Sequence, residues 1–299
     1  MLGVITGFAI ILAVIAVGWL LARTKIIRTD MERLMFNRVA FYAATPALLF
    51  DAVSTADPEN FLTPVTLVIT VATVAVSVIY GAIFFRQGAG GIGIGSASAS
   101  YFNSVNIGLP VSIYVIGDAT HVVPIMLLQM MVFTPIYLGL IGGQSILGSI
   151  KAGLLNPVVA ASIAGFVVAI MGWQLPDPVA EPIALLGGAS IPMVLMSFGA
   201  SIFGSTVLSD KEMRPAVLTA SALKLFAMPL AGFLTATLLG MDENLVYACT
   251  ILCALPTAQN VYNYAATYET GQTIARDTVF ITTFASLPVM LIIAMLFGR

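Results

Sequence analysis

The sequence predicts an all-α membrane protein with ten transmembrane helices in two inverted five-helix repeats. Three observations carry that expectation: an extremely apolar composition, motifs that return after a fixed interval, and a one-sided distribution of basic residues. Of 299 residues, 59% are hydrophobic and only 9% charged, with a mean hydropathy of +1.02. A chain this apolar is not an ordinary soluble domain and reads as a multispan membrane protein. The net charge of -2 decides little.

A bilayer crossing takes about 20 apolar residues. The first half supplies such stretches at roughly 2–22, 35–53, 62–85, 96–117 and 121–142, and the second at roughly 153–172, 182–204, 215–240, 244–267 and 277–297. Nearly the whole length is consumed, leaving no room for an extramembrane domain. No Lys or Arg precedes the first stretch, and Arg23, Lys25 and Arg28 follow it, so it reads as a retained helix rather than a secretion signal. Arg23, Lys25, Arg28, Arg33, Arg38, Arg86, Lys151, Lys211, Arg214 and Arg276 then fall in alternate loops on one side, and terminal Arg299 on the other. The positive-inside rule makes the first side cytoplasmic and places both termini outside a cell membrane.

Pro110, in YFNSVNIGLPVSIYV, and Pro256, in CTILCALPTAQNVYNYAA, are 146 residues apart. ATPALLF around Pro46 returns as SIPMVLM around Pro192 at the same interval of 146. The chain therefore divides into repeats 1–150 and 151–299. Five spans per repeat is odd, so the second repeat enters from the opposite side and the duplication is inverted. A proline inside a helix removes a hydrogen bond and clashes with the preceding turn, at about 3 kcal/mol. Paired interruptions in corresponding spans mark a transport site at the membrane midplane, where broken helices 4 and 9 are expected to cross.

NIGLP, NRVAFYAATPALLFDAV and LPTAQNVYNYAATYETGQTIARDTVFITTFASLPVML resemble the auxin efflux carrier family, which includes plant PIN exporters and bacterial permeases assigned to malate, malonate or related carboxylates. The resemblance runs from end to end. It implies a fold like that of bile acid sodium symporters, with spans 1, 2, 6 and 7 as scaffold and 3, 4, 5, 8, 9 and 10 as core.

The candidate binding residues cluster at the two breaks. Asn103, Ser104 and Asn106 precede Gly108 and Pro110; Gln259, Asn260 and Asn263 follow Pro256. Asparagines three apart share a helix face and offer donors and acceptors to a carboxylate or an ion; they also suit backbone groups freed by a kink. Lys224, about ten residues into the eighth span, costs roughly 2.5–3.5 kcal/mol to insert, so it needs a partner: a substrate anion, or a carbonyl or carboxylate of the protein. Asp51, near the outer end of the second span, is a candidate proton or gating site that the resemblance supports, and His121 has the chemistry of a pH sensor; each also reads as an ordinary interfacial residue.

These features point to a secondary transporter of a small organic anion, with no cofactor, no metal ligands and no nucleic-acid partner. A proton or sodium ion as coupling partner and a homodimer are left open. A bile-acid-type sodium symporter is the nearest alternative, and a channel or membrane sensor the alternative from another class. No P-loop, zinc ligand set or catalytic triad is visible, so no enzyme is expected. GAGGIG at 88–93 fits a nucleotide fingerprint only formally and is expected in the loop between spans 3 and 4. Cys249 and Cys253 read as small core residues, and Gly139 with Gly143 as a helix-packing pair.

Overall fold

The computed structural model describes residues 2–56, 63–108, 111–117, 121–142, 157–204 and 206–299. Every regular element among them is helical, and the lone β feature is a single antiparallel bridge between Phe102 and Thr257. Helix α1 is Leu2–Arg23. Helix α2 runs through Asp30–Val39, a π turn at Ala40–Ala44, and Thr45–Ser54. Next come α3 (Pro64–Ile83) and α4 (Gly88–Ser100), followed by π turns at Ser104–Gly108 and Ser112–Ile116. Helix α5 comprises Val122–Leu128, a π turn at Gln129–Phe133, and Thr134–Gly142. Helix α6 is Pro157–Met171, and α7 joins Asp177–Gly188 to Ser190–Ile202 across Ala189. Helix α8 comprises Arg214–Ala222, a π turn at Leu223–Ala227, and Met228–Leu238. The chain closes with α9 (Glu243–Cys253), α10 (Gln259–Thr267) and α11 (Gln272–Leu296).

Four helical stretches among the described residues are long and apolar enough to cross a membrane: Pro64–Ile83, Asp177–Ser201, Arg214–Leu238 and Gln272–Leu296. On α3 the exposed residues Leu67, Val71, Val74 and Val78 recur at helical spacing, so one apolar face looks outward. In water such a stripe would be a liability; against lipid it is the expected surface. Several boundaries differ from the sequence expectation. Helix α2 begins at Asp30, α7 at Asp177 and α11 at Gln272, because polar first turns extend these helices beyond their apolar cores.

The glycine-rich stretch at 88–93 corrects a larger expectation, since it forms the first turns of α4 and not a loop. Its small residues serve packing. A Cβ on Gly93 would lie 2.9 Å from the Leu140 Cβ of α5, and one on Gly95 would lie 2.0 Å from the Tyr80 ring of α3. A buried hydroxyl cluster ties the same three helices: Tyr137 Oη lies 2.7 Å from Ser77 Oγ and 2.6 Å from Ser100 Oγ.

The helices fall into two packing groups. Helix α1 lies along the second part of α7, while α6 and the first part of α7 pack on α2. Helices α3, α4, α5, α8, α9, α10 and α11 pack mainly among themselves. In the first group, contact is close enough to require glycine: a Cβ on Gly18 would sit 2.0 Å from the Met196 carbonyl oxygen, and one on Gly199 would sit 1.9 Å from that of Ile15. Small residues at such seams let backbones approach where lipid gives no hydrophobic drive for association. The segments around Pro46 and Pro192 also meet, with Thr45 Oγ1 2.7 Å from Ser190 Oγ.

Pro46, Pro135 and Pro229 each stand two residues beyond a π turn. A proline ring collides with the carbonyl four residues earlier, and in all three cases that residue lies inside the turn. Widening the helix relieves the collision, which gives these π turns a local cause.

Replacing Gly199 by Val should overpack the α1–α7 seam at a cost of about 1–3 kcal/mol, lowering the melting temperature in detergent. Gly188→Ala, where an added Cβ meets nothing within 4 Å, is the control and should stay within about 0.5 kcal/mol.

Candidate functional site

Helix α4 ends in the small-residue run GSASAS, and Tyr101, with ψ of 122°, turns the chain extended. A π turn then resumes at Ser104, closed by Gly108 N–H donating to the Asn103 carbonyl at 2.7 Å. In the second half, α9 stops at Cys253, residues 254–258 are non-helical, and α10 starts at Gln259. The two interruptions bond to each other. Asn103 N–H donates to the Pro256 carbonyl at 2.8 Å, and Ala258 N–H donates to the Tyr101 carbonyl at 3.1 Å. Pro256 suits this pairing because it offers an acceptor and has no N–H to satisfy.

Side chains take up further backbone groups at and beside the interruptions. Thr282 Oγ1 accepts from Thr257 N–H at 3.1 Å, and Thr257 Oγ1 donates to the Ser98 carbonyl at 2.6 Å. Gln129, buried on the π turn of α5, donates from Nε2 to the Phe102 carbonyl at 3.1 Å and accepts from Ser104 Oγ at 2.9 Å. Lys224, fully buried on the π turn of α8, donates from Nζ to the Cys253 carbonyl at 3.1 Å and lies 5.1 Å from the centroid of the Phe102 ring. It therefore touches both interruptions: the carbonyl end of α9, where the helix dipole favours a cation, and an aromatic face at cation–π distance. Gly108 completes the junction, since a Cβ there would meet Leu255 Cδ1 at 3.0 Å and Val122 Cγ2 at 3.3 Å.

The candidate residues are distributed unevenly around this junction. Asn103 and Ser104 are buried in it, and Gln259 is buried at the first residue of α10. Asn260 and Asn263 are half-buried on α10. Pro110 lies outside the described residues, as does the side chain of Asn106. The expected order of features is corrected here. The first interruption falls at residues 101–103, so Asn103 and Ser104 sit at and after it; both polar sets thus open the second half of their segments. The Ser104–Gly108 turn ends two residues before Pro110, in the pattern of the other proline-linked π turns, which places the interruption upstream of the proline itself. Asp51 is half-buried in the last turn of α2, where its carbonyl accepts from Thr55 Oγ1 at 2.9 Å. His121 is half-buried immediately before α5. Gln129 was not anticipated. Its signal is present in the sequence, since it stands six residues before Pro135 as Lys224 stands five before Pro229.

A cavity of about 280 Å³ opens where α2, α7, α10 and α11 meet. Arg33, Ser201, Gln259, Tyr262 and Arg276 supply its polar wall, and Phe198, Phe203 and Val279 lie among its apolar residues. Among the described residues no cluster of His, Cys, Asp or Glu is arranged to hold a metal ion.

Apolar helices long enough to cross a membrane, packed around a buried polar junction, are the features of a multi-pass membrane transport protein. The profile of the family described as "Membrane transport protein" matches residues 4–145 and 144–294, and the chain belongs to this family, that of the auxin efflux carriers. It is also 25% identical over 268 residues to a Rhizobium meliloti (strain 1021) protein named "Putative malonate transporter", a match covering 84% of this chain and 82% of that one.

Lys224→Met should lower thermal stability by about 1.5–3 kcal/mol, the range for a hydrogen bond to a charged group, and leave the substrate affinity of the folded fraction within about threefold. An equally stable variant with lost affinity would assign Lys224 to the substrate instead. Melting temperature and affinity measured on one preparation separate the two.

Proposed function

We propose that the protein is a secondary carrier of a small organic anion, working by alternating access around a crossing of two broken spans. In this reading the chain forms ten spans in two inverted five-helix repeats, 1–150 and 151–299, with both termini outside a cell membrane. The observation that carries it is the backbone pairing of residues 101–103 with 256–258. It joins two interrupted segments, and in this reading the amides of Asn103, Gln259, Asn260 and Asn263 stand near the two points where the helix resumes. Helix starts expose N–H groups and favour anions. The group α1, α2, α6 and α7 serves as scaffold and the remaining helices as the moving core, which fits the separate packing of the two sets.

The relative's name points to malonate, and a small carboxylate suits this chain for a further reason. The cavity beside Gln259, about 280 Å³ with Arg33, Ser201, Gln259, Tyr262 and Arg276 in its wall, offers polar groups to a small carboxylate. Amides, rather than a dense set of carboxylates, stand at the breaks, which favours an anion over a sodium ion there.

The deciding experiment is uptake into proteoliposomes of labelled mono- and dicarboxylates under separate pH, sodium and voltage gradients. Wild-type protein should accumulate a small carboxylate in response to one of these gradients; correctly reconstituted protein that moves none would sink the carrier reading. Alanine in place of Asn103, Asn106, Asn260 or Asn263 should weaken apparent affinity very roughly tenfold to a hundredfold without preventing insertion. Unchanged uptake in all four variants would leave the amides a purely structural role.

A further inference from the structure

We propose that the groove between α8, α9 and α11 holds one acyl chain of a phospholipid whose headgroup carries a primary ammonium, with Glu243 taking the ammonium and Arg299 the phosphate at its mouth. The site stands apart from the cavity beside Gln259 and from the carrier reading, and needs only that the chain lies in a bilayer. The groove has a local origin. Pro229 widens α8 into the π turn at Leu223–Ala227, and beyond that turn the helix changes neighbours. Its first part and the π turn pack on α11, whereas Met228–Leu238 packs on α9 and α3. Helices α8 and α11 therefore part beyond the turn, and α9 floors the gap.

The gap has a volume of about 650 Å³. Phe226, Leu230 and Phe233 of α8 wall it on one side, and Val289, Ile292 and Leu296 of α11 on the other. Phe226, Leu230, Ile292 and Leu296 are each more than half exposed, and both helices are long and apolar enough to span, so the groove opens to lipid. From Phe226 to Phe233, as from Val289 to Leu296, each wall is about 10 Å long at about 1.5 Å per residue. That covers about two-thirds of one leaflet of a hydrocarbon core about 30 Å thick, the depth of a chain lying along the helices. Walls on both sides give an alkyl chain more dispersion contacts than a flat helix surface does. The inner end is closed by Leu225, next to Lys224, and by the buried Thr250, one turn before the Cys253 carbonyl that Lys224 bonds.

The mouth carries the charge. Glu243, in the first turn of α9, is exposed, lines the groove and has no ion pair among the described residues. Asn244, the next residue, accepts from Arg299, whose guanidinium also lies 4.8 Å from the Tyr247 ring centroid. Arg299 is exposed and gives Asn244 one of its five donors, leaving others for a phosphate. Tyr247 packs on Phe297 at 5.3 Å, and Phe297 meets Phe233 edge-on at 6.1 Å, which fixes this end of the groove. An acid and a base beside an apolar slot match a zwitterion. The carboxylate repels a purely anionic headgroup, and it favours an ammonium with N–H donors over a quaternary one that has none. A second copy of the chain fits less well, because about a two-fold axis the groove would meet its own image and two concave surfaces leave both unfilled.

The test uses full-length protein stripped of lipid in detergent. Phosphatidylethanolamine, phosphatidylcholine and phosphatidylglycerol of identical acyl chains are added in mixed micelles, and melting temperature and lipid retained in native mass spectrometry are read. Phosphatidylethanolamine should stabilise wild type at a concentration about fivefold lower than either other lipid. Glu243→Gln should remove that preference and Glu243→Asp should recover part of it, the N-cap Asp242 being intact in both. Arg299→Gln should weaken all three lipids alike, since each carries the phosphate. Ile292→Trp, which fills the groove, should cut retention and stabilisation by all three, whereas Leu67→Trp on the outward face of α3 should change neither. Three lipids acting alike on wild type, the mark of an annular layer only, overturn the proposal, as does a phosphatidylethanolamine preference that survives Glu243→Gln. Retention undiminished by Ile292→Trp would also overturn it. An oligomer that Ile292→Trp breaks apart, with no dependence on lipid, would give the groove to a second copy instead.

Discussion

Backbone polar groups released inside a bilayer have no water to turn to, so an interrupted spanning helix survives only if the protein itself satisfies the freed N–H and C=O groups. Here the two interruptions satisfy each other. Asn103 and Pro256 share one hydrogen bond, Tyr101 and Ala258 another, and Thr282, Gln129 and Lys224 take groups that the short pairing leaves over. Much of the rest follows from this arrangement. Helices α5, α8 and α11 must each bring a polar side chain to the junction, and α3, α4 and α5 are tied further by the Ser77–Ser100–Tyr137 hydroxyl cluster. The result is a set of helices that holds together as a unit around the breaks.

The prolines do two kinds of work in building that unit. Pro256 interrupts a helix outright and contributes a carbonyl to the pairing. Pro135 and Pro229 leave their helices continuous but widen the turn before them, and those widened turns carry Gln129 and Lys224. Wider turns at functional positions are a recurring device in helical proteins, and here the same residue type produces both the gap and the side chains that fill it. Across the seam, α1, α2, α6 and α7 associate by close backbone approach at Gly18 and Gly199, with Thr45 and Ser190 hydrogen-bonded between α2 and α7. The seam between the two packing groups has Arg33 on one side and Arg276 on the other, both lining one cavity.

Some of this was legible from the residues alone. Apolar length and the spacing of prolines announced spanning helices with interruptions, and the two asparagine-bearing motifs pointed to Asn103, Ser104 and Gln259, all of which are buried at or beside the junction. The depth of Lys224 in its span announced a partner, because an ammonium in hydrocarbon is too costly to leave alone. Other positions were harder to read. GAGGIG looked like a loop because glycine has poor helix propensity, yet Gly93 and Gly95 are needed where α4 meets Leu140 and Tyr80. Gln129 passed unnoticed because its cue, a place six residues before Pro135, gains meaning only once the widened turn is seen to carry it.

The sequence by itself determined the membrane class, the apolar helices and the family, since composition, hydrophobic run length and ordered motifs are local properties that need no neighbour to be read. Tertiary structure alone decided where the first interruption falls, which carbonyl Lys224 bonds, and that Arg33, Arg276 and Gln259 line one cavity. Each of those outcomes depends on which distant backbone group lacks a partner, and residues 101 and 258, or 33 and 276, become neighbours only when the helices pack.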